Sequence, residues 1–358
     1  MYFAVFGFDR SGLMDNNALR SMPRPLRIEF PGAVYHIMAR GNQGNPVFAD
    51  DQDRRRFLET LAETSEKTGW RVHAYVLIGN HYHLLAETPE PNLVAGMKWL
   101  QGTYTQRYNW RHQLHGYLFQ GRYKAIPVQA DNDGYLETVS TYIHLNPARA
   151  GLVQIGREPL RTYAWSSYPW YLAPANKGPE WLCRQRVLGS LHLKSPKGYE
   201  AYIESRALEL GLKAGQRELE HKWKALRRGW YVGNDGFLDK LRVRLGRRLR
   251  PAKRDSHSGG ANKEHGRLAA EQMLREALDA LHLAEADLDE MRKGAPEKKV
   301  IAWWLRKRTT MSLAWISDRL RMGHPATVSH AVSQAKSGGD RGLERLKRGL
   351  ERLERPAQ

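Results

Sequence analysis

Among 358 residues the chain has one cysteine, Cys183. That excludes an internal disulfide and gives no sign of an oxidising compartment. No apolar run approaches the roughly 20 residues a membrane-spanning helix needs. The opening MYFAVFGF lacks the basic segment and the length of a secretory signal. There is no G-x-x-x-x-G-K-[ST] loop to cradle nucleotide phosphates. Acidic residues are scarce as well: 38 Asp and Glu stand against 57 Lys and Arg, a formal charge of +19. Such an excess draws a protein toward polyanions. With no membrane segment, the expected partner is nucleic acid and the expected setting is the cytoplasm.

What is present supports folded domains. Apolar residues make up 41% of the chain, and the length favours two or three domains. Residues 1–21 show no period, and MPRPLRIEF at Met22 reads as a start, so the first segment is expected to be a disordered extension or a misassigned start. VYHIMA (34–39) alternates as a strand. RRRFLETLAETSEKTG follows the acidic cap 50–53 with helical spacing and stops at Gly69. VHAYVLI (72–78) and HYHLLAE (81–87) read as strands joined by Gly79-Asn80, a tight hairpin signal. Residues 92–109 form a second helix, AIPVQA (125–130) a strand, and DGYLETVSTYIHLN (133–146) a third helix. The order β-α-β-β-α-β-α predicts an α+β fold, an antiparallel-centred split-βαβ sheet of the ferredoxin type. One sheet face is expected to pack helices and the other to meet a ligand.

The histidines of GNHYHLL pose the functional question. An isolated His-x-His is usually packing or a surface patch. On a strand, however, His81 and His83 share one face about 7 Å apart, and both rings can turn onto one ion at about 2.1 Å. The helix 133–146 offers a third ligand, the amide oxygen of Asn146, with Tyr142 one turn away on the same side. Two neutral imidazoles and an amide leave a divalent cation's charge intact, which suits a Lewis acid acting on a phosphodiester. A phenol positioned in line with the phosphorus can then attack it. The product, a covalent phosphotyrosine, conserves the bond energy and makes strand transfer reversible without ATP. Tyr104 and Tyr108 are rival nucleophiles on the preceding helix, with no ligand near them. His144 is a rival ligand, but at i+2 from Tyr142 it points elsewhere on the helix. Arg40 and Asn42 either touch phosphate or shape a turn, and Arg122 and Lys124 lean toward phosphate.

At this point AYVLIGNHYHLL and YIHLNPARAGLV, with YHIMARGN, FQGRYKA and WSSYPWY, resemble the HUH endonuclease superfamily. More narrowly they resemble the bacterial REP-associated tyrosine transposases, a single-tyrosine family. The resemblance spans about residues 22–171. It implies that His81, His83 and Asn146 bind a divalent ion, Mg2+ or Mn2+. It also implies that Tyr142 attacks the scissile phosphate of single-stranded DNA, leaving a 5′-phosphotyrosine and a free 3′-OH at hairpin-bearing repeats. Two positions depart from the simplest pattern: Tyr82 fills the hydrophobic slot between the histidines, and Asn146 stands where insertion-sequence relatives commonly have Gln.

The second half carries binding features. Residues 173–250 read as mainly helical. From His221 to Arg254 twelve Lys or Arg, including Arg227 and Arg228, stand against two Asp, interleaved with Trp223, Trp230, Tyr231 and Phe237. Such aromatics can stack on bases while the cations hold phosphates. Residues 251–265 read as a linker, 266–340 as a helix-turn-helix module and 341–358 as a charged tail. In that module Val300, Ile301, Trp303 and Trp304 line one helix, Ser312 caps a second, and Pro325 opens a third. The pattern is similar to the DNA-binding end of bacterial replication initiators, and it sets Thr327, Ser329 and His330 at a recognition helix facing duplex DNA. The expected function is therefore a metal-dependent transposase, monomeric or homodimeric, associated with the nucleoid. The alternative is a domesticated, non-catalytic protein that recognises repeats through the helix-turn-helix.

Overall fold

The computed structural model describes residues 28–354, apart from 132, 194, 213–214, 216, 218, 220–222, 224–225, 227–230, 250–259 and 338–339. The expected extension 1–21, Arg227, Arg228 and most of the expected linker lie outside the described residues.

Four strands form one sheet: β1 Ala33–Arg40, β2 Arg71–Ile78, β3 His81–Thr88 and β4 Lys124–Val128. They lie in the order β2-β3-β1-β4, and every neighbouring pair is antiparallel. This is the split-βαβ arrangement that the element order predicts. Helix α1, Asp51–Thr68, crosses from β1 to β2, and α2, Leu93–His112, from β3 to β4. The boundaries of α1 follow from its sequence. The side chain of Asp50 accepts from the Asp53 amide, and Gly69 closes the helix at φ 69°, a left-handed cap that glycine adopts at no steric cost.

The alternation of β1 to β3 sorts two cores. Tyr35, Ile37, Tyr75, Leu77, Tyr82 and Leu84 pack against Phe57 and Leu61 of α1 and Met97, Leu100 and Tyr104 of α2. Val34, Ala74, Val76, Ile78 and Leu85 face the other way, onto α3, Asp133–His144, through Leu136, Val139 and Ile143. That second face, which also carries His81 and His83, is largely covered by helices. Its core continues through Tyr168, Tyr171, Val187, Tyr199, Ile203, Leu219, Trp223 and Leu226. The first five belong to α5, Tyr168–Leu172, α6, Gln185–Ser190, and α7, Pro196–Gly211, with α4, Asn146–Arg149, leading into them, and Leu219, Trp223 and Leu226 are each helical. Both sheet edges are occupied too. Leu182 bridges to Val72 at one edge and Val232 to Val128 at the other. At the end of the sheet near His81 the cover is partial: His81 and Met38 are half-buried and Arg40 is exposed.

Beyond α8, Asp235–Leu249, the chain is helical: α9 Gly260–Ala280, α10 Asp287–Glu290, α11 Pro296–Arg308, α12 Leu313–Arg319, α13 Pro325–Ser337 and α14 Arg341–Glu351. The caps follow the sequence reading, with Ser312 accepting from the Trp315 amide and Pro325 opening α13. Val300, Ile301, Trp303 and Trp304 lie on α11 as expected, where every residue from Val300 to Leu305 is buried. It is the central helix of a third core that gathers residues of α9, α12, α13 and α14. Even Lys298 is buried there, its Nζ donating to the carbonyls of Leu288 at 2.7 Å and Met291 at 3.1 Å.

Candidate active site

The β2–β3 turn is fixed by the segment after β1. The amides of Val47 and Phe48 donate to the Gly79 carbonyl at 2.9 and 3.1 Å, and the Gly41 amide donates to the Asn80 carbonyl at 2.8 Å. Position 41 must be glycine for this approach, because a Cβ there would lie 1.9 Å from the Asn45 carbonyl oxygen. The Asn80 side chain is committed as well. Its Nδ2 donates to the Gly44 carbonyl at 3.2 Å, which turns Oδ1 onto Nδ1 of His81 at 2.7 Å.

His81 and His83 share a face of β3, their ring centroids 5.2 Å apart and edge-on. His81 is half-buried and His83 is buried. Nδ1 of His83 lies 2.9 Å from Nε2 of His36 on β1. The register sets Met38 opposite His83 and Arg40 opposite His81, so His36, Met38 and Arg40 share their face. Tyr142 of α3 closes over this group, its ring 5.4 Å from His83 and 5.6 Å from His36. The Arg149 guanidinium sits over Tyr142 at 4.9 Å and over Trp223 at 5.2 Å. Trp223 lies edge-on to Tyr142 at 5.4 Å.

The helix expected over 133–146 ends at His144, and the chain resumes as α4 at Asn146, with Pro147 in its first turn. Proline lacks the amide that would continue the ladder. Leu145 nonetheless keeps right-handed helical angles, and its amide donates to the Thr141 carbonyl at 2.9 Å. Helical hydrogen bonding thus runs through Leu145, directly up to Asn146. The Asn146 side chain hydrogen-bonds to His81 in the sense that favours the protonated ring, while burial and the charge of Arg40 outweigh it and lower His81's pKa. Burial, with the neighbouring His36, His81 and Arg149, holds His83 well below the usual histidine range. Burial and Lys124 take His36 down to about 3. The three rings are thus neutral near pH 7. Both His81 and His83 have Nδ1 engaged, and the donor set fits a divalent cation through two imidazoles with Asn146 beside them. Among the described residues no three His, Cys, Asp or Glu converge on a metal position, so the amide is the third donor on offer.

The other predicted residues divide clearly. Arg40 and Arg122 are exposed at this end of the sheet, as is Asn42, whose amide donates to the Leu118 carbonyl at 2.9 Å. Lys124 is half-buried, opposite Met38. Tyr104 and Tyr108 lie in the core on the opposite side of the sheet. The Tyr104 hydroxyl donates to the Val47 carbonyl at 2.6 Å, and burial pushes its pKa far up. His144 bonds to the Tyr199 hydroxyl and the Ser167 Oγ at 2.7 Å each, away from Tyr142's neighbours. Trp223 and Phe237, expected to stack on bases, are buried in cores. On α13 Ser329 and His330 are exposed, Thr327 is half-exposed, and Val328, Ala331 and Ala335 face inward.

His36, Asn80, Arg149 and Trp223 were not predicted as site residues. The spacing of Leu219, Trp223 and Leu226 at i, i+4 and i+7 was a readable sign of an inward face. His36 depends on the pairing of β1 with β3, Asn80 on the loop at Gly44, and Arg149 on how α4 follows α3.

Residues 30–146 match the model of the family described as "Transposase IS200 like", and the match contains His36, His81, His83, Tyr142 and Asn146. This stretch of the chain is similar to that family. Among solved structures the chain is similar to one described as a REP-associated tyrosine transposase bound to a REP hairpin. That similarity has 14% identity and a TM-score of 0.35, and it covers 45% of this chain and 94% of that one. No curated protein matches. The matched stretch ends four residues after Tyr142, and Arg149 and Trp223, beyond it, also pack on the tyrosine.

Proposed function

We propose that the chain is a single-tyrosine strand transferase that cuts and rejoins single-stranded DNA at hairpin-bearing repeats. The observation that carries the proposal is the packing of Tyr142 against His83 at 5.4 Å, inside the stretch similar to the IS200-like family. His81, His83 and Asn146 would hold Mg2+ or Mn2+, which when bound would supply Lewis acidity to a scissile phosphate. Tyr142 gives up its phenolic proton and its oxygen attacks the phosphorus. The P–O3′ bond breaks, the departing 3′-oxygen takes up a proton, and the 5′-phosphate stays on the tyrosine. Arg149 keeps a positive charge over the ring as negative charge develops. Arg40, Asn42 and Arg122, exposed at the open end of the sheet, hold the strand on either side of the cut. The helix-turn-helix of α12 and α13, with Thr327, Ser329 and His330, binds duplex beside the hairpin.

One observation favours the second reading, a non-catalytic repeat-binding protein: Tyr142 is only 2% exposed. A buried nucleophile reaches a phosphate only after its cover moves. Purified protein with end-labelled hairpin-bearing single strands and Mn2+ separates the two. The transferase forms a covalent protein–DNA adduct that vanishes with Tyr142→Phe and with EDTA, while hairpin binding persists. An adduct that survives Tyr142→Phe removes that residue from its role. No adduct under any metal leaves the binding protein.

A further inference from the structure

Among the described residues the two most exposed large apolar or aromatic side chains are Tyr117, at 90%, and Trp110, at 85%. Neither has a part in the chemistry above. One exposed ring needs no explanation. These two differ because a single well-anchored turn carries both, and that turn is fastened to the end of the sheet where Arg40 and His81 lie.

The anchoring is explicit. α2 ends at His112, and Gln113 caps it in the left-handed region at φ 53°. The Leu114 amide then folds back onto the Asn109 carbonyl at 2.9 Å, and Nδ2 of Asn109 donates to the Gly116 carbonyl at 3.1 Å. That last bond joins the residue before Trp110 to the residue before Tyr117, so both side chains start from neighbouring points of the turn. The next residues are laid along β1. The Leu118 carbonyl accepts from the Asn42 amide at 2.9 Å, and the Gln120 amide donates to the Arg40 carbonyl at 2.8 Å, with Phe119 bridging to Gly41 between them. Leu118 and Phe119 are buried in the core of Tyr82 and Tyr104. Tyr117 therefore stands out from a fixed backbone, one residue from a contact with Asn42, while Arg40 is paired in register with His81.

Outward-facing rings among exposed Arg40, Asn42 and Arg122 offer two things at once: flat apolar faces and donors for phosphate. Single-stranded nucleic acid is the polymer that matches both, since its bases have free faces to stack while its backbone meets the cations. Paired bases in a duplex have no free face. A second copy of this chain is a poorer occupant, because a twofold contact would bring the same cations against one another.

We propose that Tyr117 and Trp110 form a stacking platform for unpaired bases of the strand that reaches the candidate active site past Arg40 and Asn42. The location of the cut rests on the strand-transferase reading, whereas the stacking contact is a matter of binding and is tested without cleavage.

The full chain in EDTA is titrated into two fluorescein-labelled hairpins, one blunt and one with about eight unpaired nucleotides, and anisotropy reports affinity. Tyr117→Ala and Trp110→Ala should each bind the flanked hairpin about 5–150-fold more weakly, the range of one lost base stack, and bind the blunt hairpin as the native chain does. Tyr117→Phe should stay near the native value, while Tyr117→Leu, which keeps apolar area and loses the flat face, should not. Abasic sites throughout the flank should weaken native binding and abolish the difference between the native chain and Tyr117→Ala. Equal affinity of Tyr117→Ala and the native chain for the flanked hairpin overturns the proposal, as does an equal loss on the blunt one. Native binding that ignores the abasic sites overturns it too. Self-association that Tyr117→Ala abolishes, with the flank affinity unchanged, assigns the rings to a second copy instead. A chain that forms no adduct with Mn2+ yet prefers the flanked hairpin through these two rings loses the strand-transferase reading and keeps the platform.

Discussion

Trp223 is the most exacting place to test the packing around the tyrosine. It is 1% exposed and touches both Tyr142 and Arg149. Truncation in Trp223→Ala removes roughly 200 Å² of buried aromatic surface. At about 25 cal/mol per Å² that is about 5 kcal/mol, an upper bound because unfolded chains already bury part of it. Large-to-small aromatic substitutions in cores cost about 3–5 kcal/mol, and the lost cation–π contact adds about 0.5–2 kcal/mol. We therefore expect the sheet to lose about 3.5–7 kcal/mol of stability. With separate cores in the sheet region and in the helices around α11, a single unfolding free energy for the chain is ill-defined. Amide exchange in β1 and β3 is the appropriate measure. Nitration of Tyr142 should rise in the same variant, and Trp223→Phe should recover most of both effects. A loss under about 1 kcal/mol, with Tyr142 no more reactive, would refute the argument that Trp223 seals the tyrosine.

Three further outcomes are expected. Arg149→Ala should slow adduct formation by about 100–1000-fold, as the loss of a single charge-stabilising donor does elsewhere; Arg149→Lys should not restore it, since a compact ammonium cannot stack on two rings as guanidinium does, and single-turnover rates check both. The Glu87 carboxylate is held down to about 2, first by its hydrogen bond with His73 and then by Arg186. A depressed folded-state value stabilises above about 4.5 and is lost as pH falls from there toward 2, so urea titrations across that window should lose their slope in Glu87→Gln. Ser329→Ala with His330→Ala should weaken duplex binding by about 1–3 kcal/mol per lost base contact and leave cleavage of short hairpins unchanged, as read by gel shift and adduct yield.

Much of this arrangement is legible before any coordinates. Period-two alternation in 34–39, 72–78 and 81–87, with the Gly79-Asn80 turn between the latter two, predicts the strands that form the sheet. Asp50, Gly69, Ser312 and Pro325 mark helix ends because each supplies or removes a specific backbone bond. The covered second face escaped notice because its lid comes from residues 160–232, whose Lys and Arg masked the inward spacing of Leu219, Trp223 and Leu226. The environment of His83 escaped for a different reason. His36 is 47 positions away, and only the antiparallel register of β1 with β3 brings the two rings together. Local pattern carries no information about register between distant strands.

The junction between the sheet and the helices around α11 has a mechanical consequence. At the end of α1, Lys67 donates to the Lys307 carbonyl at 3.1 Å and Glu66 pairs with Lys307 at 3.2 Å. Trp99 is clasped between the cations of Lys67 at 4.3 Å and Arg306 at 3.9 Å. These contacts tie the end of α1 and Trp99 of α2 to the end of α11. On the proposed function, DNA held both at Tyr142 and at α13 would have to fit the separation that this junction sets.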